Sequence, residues 1–355
     1  MTKNNSYNVI GLMSGTSLDG VDIAFCRITH SADTWTYEIE AAETISYSKH
    51  WQNRLQNLEN STSFDYALTN VEYGHYLGKL VSSFIRKNKL KPDFVSSHGH
   101  TIFHQPDKLV TSQIGSGAAI AAECDLPVVC DFRTKDVALG GQGAPLVPIG
   151  DALLFSDFGA CLNIGGFANI SFGKKNKRVA FDICPANIVL NTLSQKLGEK
   201  FDSEGRLARR GKVNTSLLKK LNSLSYYKKN SPKSLGKEWV IETIFPLLSK
   251  SGLNPFDQLS TFTEHVAMQI ASSIHADSNK SRVLITGGGV YNLHLIERIK
   301  NHCKNTIVIP DKKTIEFKEA LVFALLGILR WRGEVNCFSS VTGSTADNIG
   351  GCIYL

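Results

Sequence analysis

The chain has 355 residues, 42% hydrophobic and 20% charged, a composition ordinary for a soluble globular protein and a length that exceeds one comfortable hydrophobic core, so two domains are expected. Its net charge of +7 comes from scattered basic groups (Lys174, Lys175, Lys177 and Arg178; Lys219 and Lys220; Lys228 and Lys229), which argues against nucleic acid but suits an anionic substrate. Eight cysteines without a C-x-x-C pair read as reduced, buried fillers, and there is neither a signal-peptide core after Met1 nor an apolar run of membrane length; a soluble cytoplasmic protein is expected.

The first apolar run, Val9–Met13, stops at Ser14-Gly15-Thr16-Ser17, and an alternating run resumes from Val21 to Ile28. That pattern predicts a β-hairpin. Its glycine and hydroxyl turn can offer N–H and O–H groups to an anion, while Asp19 and Asp22 add the hard oxygens that Mg2+ takes when it is shared with nucleotide phosphates. The P-loop pattern is absent, and a plain hairpin with solvated acids is the competing reading.

A third strand is expected over Glu38–Ser46, then a long helix over Ser63–Lys89, broken near Gly74 or Gly78. Asp93–Ser97 reads as a short strand delivering a loop, His98-Gly99-His100-Thr101, with His104 beyond it. Three histidines invite a metal, but no cysteine or carboxylate stands nearby to complete the shell, and a substrate loop at a strand end is preferred. Gly115–Glu123 is a small-residue helix. Leu126–Asp131 is a strand that delivers Asp131, Phe132, Arg133 and Asp136, and Arg133 can grip a carboxylate or phosphate at two points. Ala138–Pro148 is too rich in glycine and proline for helix or strand.

The second half repeats the opening theme. Ala160–Ile164 is a strand, Gly165-Gly166-Phe167-Ala168-Asn169 a turn and Ile170–Phe172 the return; later Arg282–Thr286 is a strand, followed by Gly287-Gly288-Gly289 and a helix from Tyr291 to His302. Between them the strand Arg178–Phe181 leads to Asp182 in a loop, with Pro185 in the first turn of a helix that runs to Leu197. Asp182 faces a cleft in one reading and caps that helix in the other. Ser231–Trp239 is a turn entering a helix, Leu259–Ile274 and Ile315–Arg332 are core helices, and the tail Val341–Leu355 is expected to return to the first lobe as a strand.

Together these stretches resemble the actin, Hsp70 and sugar-kinase superfamily and, within it, the anhydro-N-acetylmuramic acid kinase family. The resemblance covers almost the whole chain: Gly11–Asp22, Ser97–Pro106, Asp131–Pro148, Asn163–Ile170, Phe181–Asn187, Pro232–Glu238, Thr286–Asn292 and Lys318–Ala324. It implies an α/β, two-lobed actin-like ATPase (ribonuclease H-like) fold with a central cleft, the first lobe from residues 1–132 plus 338–355 and the second from 133–337.

By the same resemblance, ATP is held by Gly15, Thr16, Ser17, Leu18, Asp19, Gly20, Val21 and Asp22 and by Gly165 and Gly166, with Gly287, Gly288 and Gly289 near the adenosine. Mg2+ reaches Asp19 through the phosphates. Asp182 is the general base, and His98, His100, Thr101, Arg133 and Glu319 hold the sugar; a homodimer is the expected assembly. Because an anhydro sugar lacks a free hydroxyl at C6, the base would activate water and the opened O6 would take the phosphoryl group. His100 stands where the family commonly has glutamine, Ile183, Cys184 and Ala186 enlarge a stretch of small residues, and Lys237 replaces an arginine. An ordinary sugar kinase acting on a free hydroxyl and a chaperone-like or filament-forming ATPase are the alternatives.

Overall fold

The computed structural model describes residues 5–173, 177–231, 233–275 and 282–355; Met1, Lys174, Lys175 and Pro232, which figure in the reading above, lie outside them. The chain opens with β1 (Ser6–Ser14), β2 (Gly20–Ser31) and β3 (Thr34–Ser46), then α1 (Lys49–Asn57) and α2 (Ser63–Asn88). There follow β4 (Phe94–Gln105), β5 (Val110–Ile114), α3 (Gly117–Cys124), β6 (Val128–Cys130), α4 (Thr134–Ala138) and α5 (Val147–Leu154). The second half contributes β7 (Ala160–Ile164), β8 (Phe167–Phe172), β9 (Val179–Pro185), α6 (Asn187–Gln195) and α7 (Thr215–Asn222). A turn of helix, α8 (Lys237–Trp239), passes through the π-turn Val240–Ile244 into α9 (Phe245–Ser249), ahead of α10 (Pro255–His275), β10 (Arg282–Thr286), α11 (Leu293–His302) and β11 (Thr306–Val308). The chain ends with α12 (Lys312–Trp331), α13 (Ser339–Thr342) and β12 (Cys352–Tyr354).

Two sheets carry the same order. The first runs β12-β6-β4-β1-β2-β3, with β5 paired to β4 off that path, and the second runs β11-β10-β7-β8-β9. In each, three antiparallel strands are joined by two parallel ones on the outer side of the first strand: β4 and β6 beside β1, β10 and β11 beside β7. This is the ribonuclease H-like unit occurring twice, the defining repeat of the actin-like ATPase fold class.

Contacts divide the chain into unit 1, residues 1–154 and 317–355, and unit 2, residues 155–316. Residues 133–154 and 317–337 thus pack with unit 1, and buried polar anchors explain it. Asp136 Oδ1 accepts from Thr342 Oγ1 (2.9 Å), Asn348 Nδ2 (2.8 Å) and Cys337 Sγ (3.1 Å), and Asp136 Oδ2 accepts from the Gly143 N–H (2.8 Å). Lys318 on α12 forms a buried ion pair with Asp151 on α5 at 2.6 Å. As expected, the tail returns as β12, antiparallel to β6. Helix α12 leaves helical geometry at Phe317 (φ −116°, ψ 15°), where the units divide.

The central strand β1 is covered on both faces, which is why its apolar residues run on without alternation. Val9, Ile10 and Leu12 are all buried, and Gly11 lets α12 lie on the strand, since a Cβ there would sit 2.0 Å from the Ala320 carbonyl oxygen. Glycine has the opposite consequence to that expected in α2, which runs unbroken through Gly74 and Gly78. The helix is stabilised by tertiary packing: a Cβ at Gly74 would meet Ser116 O at 2.7 Å and one at Gly78 would meet Glu123 Cβ at 2.5 Å, so both glycines admit α3 to close range.

Other expectations are corrected. His98–Thr101 is not a loop but part of β4, which extends to Gln105 because β5 pairs with its far half. The turn between β7 and β8 is only Gly165-Gly166, and a short 3-10 turn, Gly288–Tyr291, precedes α11. The cysteines are not uniformly fillers: Cys26, Cys161, Cys184 and Cys337 are buried, Cys124, Cys130 and Cys303 half-buried, and Cys352 is exposed on the terminal strand.

Candidate active site

Unit 1 carries the first phosphate-gripping candidate. The hairpin turn is closed by Leu18 N–H donating to Gly15 O (3.3 Å), with Leu18 in the left-handed region (φ 59°). Thr16, Ser17 and Asp19 are exposed, and a Cβ on Gly15 would meet only Ser17 Oγ at 3.6 Å, so the turn is open to an incoming group. Gly20 and Val21 belong to the strand instead: Gly20 allows the approach of Ile45 O on β3, and Val21 is buried in the core. Asp22 is half-buried, accepting from Thr44 Oγ1 (2.6 Å).

Close to the turn lie the candidate sugar residues of β4 and α12. Gly99 has φ 73°, and a Cβ would stand 2.5 Å from Ile114 O, so only glycine allows β5 to pair here and set His98 and His100 as they are. His98 is buried. Its Nδ1 bonds Gly99 O (2.9 Å), and its Nε2 receives Arg133 Nε (3.1 Å) and Nη2 (2.9 Å). Burial and the Arg133 charge hold its pKa well below the usual histidine value. Arg133 also donates from Nη1 to Gly143 O (2.6 Å), tying the irregular crossing to the site, and burial pushes its pKa down to about 10.

Three of the five guanidinium N–H groups are thereby used, leaving one on each Nη for a planar anion. Thr101 Oγ1 accepts from Gln113 Nε2 (3.4 Å). Glu319 is solvent-accessible, yet crowding by protein and the charge of Asp22 raise its carboxyl above the usual range, opposed by Lys318 and Arg133. Both nitrogens of His98 are engaged within the protein, so this histidine offers neither to a metal.

Unit 2 carries Asp182, which lies not in a loop but inside β9, opposite Asn169. The register shifts between Ala168 and Asn169, leaving Ile183 as an extra residue, and such bulges re-aim side chains. Ile183 and Cys184 turn into the core with Ala186, so the larger residues there fill volume. Asp182 does not cap α6, and Pro185 ends the strand rather than opening the helix. The first N–H groups of α6 are taken by the glycine turn: Ala186 and Ile188 donate to Gly166 O (2.8 and 3.2 Å) and Asn187 to Gly165 O (3.1 Å).

The Asp182 carboxylate is therefore available, half-buried, with Leu235 N–H donating to Oδ2 (3.0 Å). Burial raises its pKa above the ordinary aspartate value, the Leu235 bond opposing. Tyr226 Oη donates to the Asp182 carbonyl (2.6 Å), and Asp182 N–H donates to Lys233 O (3.1 Å). Sequence reasoning missed Tyr226; the signal for Lys233 and Leu235 was present in the Pro232–Glu238 motif.

The third glycine turn rests on the end of β7. Gly287 has φ 84°, and a Cβ there would meet Asn163 Oδ1 at 2.5 Å; one on Gly289 would meet Ile164 Cγ2 at 2.2 Å. Gly288 has nothing within 4 Å, so this turn has one face against the strand and one open.

The family model for anhydro-N-acetylmuramic acid kinase matches residues 7–355. A protein of that name from Clostridioides difficile (strain 630) is 35% identical over 365 residues, covering 95% of this chain and 94% of its own. Another, from Pseudomonas syringae pv. tomato, is 34% identical and covers 97% and 98%. Among solved structures, the activator of the 2-hydroxyisocaproyl-CoA dehydratase from Clostridium difficile, with bound ADPNP, aligns at TM-score 0.47 and 13% identity over 92% of this chain and 96% of its own. With a family model spanning the described elements of both units and relatives of this identity and coverage, the chain belongs to the anhydro-N-acetylmuramic acid kinase family.

Proposed function

We propose that this enzyme converts 1,6-anhydro-N-acetylmuramic acid, ATP and water to N-acetylmuramic acid 6-phosphate and ADP, in the recycling of cell-wall murein in the cytoplasm. The observation that carries the reading is Asp182: a single half-buried carboxylate of raised pKa, re-aimed by a bulge and held by one backbone N–H, as a general base requires.

Asp182 takes a proton from water as the water oxygen bonds to C1. The C1–O6 bond breaks, O6 accepts the γ-phosphoryl group, and the proton leaves to solvent. Phosphorylation neutralises the departing oxygen, so no second carboxylate need protonate it. In unit 1 the open turn Gly15–Asp19 is the group offered to the phosphates, in unit 2 Gly165 and Gly166 are, and the open face at Gly288 is offered to the adenosine. Asp19 and Asp22 fit a Mg2+ that arrives with the nucleotide rather than a protein-built cage, and the ion supplies charge neutralisation on the phosphates. The two remaining Arg133 N–H groups suit the lactyl carboxylate, His98 positions that guanidinium, and His100, Thr101 and Glu319 complete the sugar contacts.

Sugar-dependent release of ADP tests this against its rivals. The anhydro sugar is expected to drive turnover while glucose and N-acetylglucosamine do not. Turnover of those sugars alone would favour an ordinary kinase, and ATP hydrolysis indifferent to sugar a switch-type ATPase.

A further inference from the structure

His98 and His100 stand two residues apart on β4, yet their surroundings impose opposite proton positions. A carbonyl oxygen only accepts, so the His98 bond to Gly99 O places its proton on Nδ1, and Nε2 must accept from Arg133. Both nitrogens of His98 are spent inside the protein.

His100 ends a chain of hydroxyls. Its Nδ1 lies 2.8 Å from Ser14 Oγ, Ser14 Oγ lies 2.6 Å from Tyr47 Oη, and Tyr47 Oη lies 2.5 Å from Tyr73 Oη. All four residues are buried, Tyr73 completely. Tyr73 Oη has Tyr47 Oη at 2.5 Å and Ser14 near it as well, so its proton points into this cluster of hydroxyls. With Tyr73 donating to Tyr47, Tyr47 donates to Ser14, Ser14 donates to His100 Nδ1, and every buried donor is satisfied. The reverse direction would leave the Tyr73 proton without a bond of normal geometry in a dry interior, its remaining neighbour being Ser14, which costs more than an unused acceptor lone pair. Burial also holds the His100 pKa down to about 4, so the ring is neutral at ordinary pH, with its one proton on Nε2. That atom has no hydrogen-bond partner among the described residues.

We propose that Ser14, Tyr47 and Tyr73 are positioning residues that fix His100 as the Nε2–H tautomer, making it a hydrogen-bond donor to an oxygen of the sugar. The assignment of the acceptor rests on the function proposed above; the tautomer does not. Where the ring is a fixed donor it rewards an acceptor oxygen and leaves a donor group at that point of the sugar unpaired, which makes the hydroxyl chain a determinant of substrate selection. Ser14 also joins the phosphate turn to β4, since it is the last residue of β1 and directly precedes Gly15.

The test is long-range nitrogen–proton correlation of the imidazole rings in the full chain labelled at histidine, with His98 and His100 assigned by replacing each. His100 is expected to show a protonated Nε2 and an unprotonated Nδ1, and His98 the reverse. Ser14→Ala and Tyr47→Phe each remove a link; His100 should then lose its single tautomer, and the KM for the sugar should rise about five-fold while the KM for ATP stays within about two-fold. A proton on His100 Nδ1 in the unaltered chain would overturn the proposal, as would equal rises in both KM values. The ring measurement needs no substrate, so if the anhydro sugar is not turned over, the proposed function falls while the tautomer assignment is decided on its own.

Discussion

Replacing Asp182 by asparagine is expected to lower kcat by about 10²–10⁴-fold, the range that a positioned general base supplies. The loss should fall on kcat more than on either KM, because the carboxylate acts on water rather than on bound sugar or nucleotide. Folding should survive. Asparagine can still accept the Leu235 N–H, and a carboxylate whose folded pKa lies above its unfolded value weakens the native state at neutral pH, so the thermal midpoint of Asp182→Asn should be unchanged or higher. The base works deprotonated; kcat/KM of the parent enzyme should therefore fall as pH drops through the raised Asp182 pKa, and this acid limb should vanish in the variant. A variant retaining more than about a tenth of the parent kcat would remove Asp182 from the role.

The largest stability effect is expected at Lys318. Its ammonium and the Asp151 carboxylate form an ion pair with both side chains nearly sealed from water, at 6% and 5% exposure. Replacing Lys318 takes the ion-pair partner from a buried carboxylate, which costs about 3–5 kcal/mol. Lys318→Met should thus lower the thermal midpoint by roughly 10 °C, on the scale set by entropies of unfolding for domains of this size. Lys318→Met combined with Asp151→Leu should recover much of the loss, because well-packed apolar residues often replace a buried pair without net cost. Chemical and thermal unfolding of the three proteins decides it: a double variant no more stable than the single one would mean that the pair is not the source of the effect.

The architecture was legible where local pattern and tertiary role agree. The opening hairpin, the returning strand of the second half and the terminal strand all appear because their apolar runs are broken by turn residues. The misreadings have physical causes. Gly74 and Gly78 look like breaks in α2 because intrinsic preference disfavours glycine there, whereas α3 packing on that face requires it. His98–Thr101 looks like a loop because two histidines and Gly99 outweigh the single β-branched residue, Thr101, and the strand that pairs with them comes later in the chain. Asp182 looks like a loop residue because aspartate is depleted in strands, but a bulge accommodates it within one.

Site composition divides along the same line. Motif residues such as Arg133 and His98 could be singled out from sequence, but not their mutual bond, nor that His98 acts through Arg133. Tyr47 and Tyr73 carried no signal: they lie in separate elements, and only folding brings their hydroxyls to Ser14. Lys318 was visible inside a motif, while its partner Asp151, on a helix that opens within the glycine- and proline-rich crossing, was not.

The most direct test of the central claim is the fate of water. In water enriched in heavy oxygen, with Mg-ATP and 1,6-anhydro-N-acetylmuramic acid, the product should be a ring-opened sugar 6-phosphate carrying one heavy oxygen at C1 and none in the phosphoryl group, read by mass spectrometry of fragments. Heavy oxygen in the phosphoryl group, or a phosphorylated sugar with its anhydro bridge intact, would contradict the coupling of hydrolysis to phosphoryl transfer through Asp182.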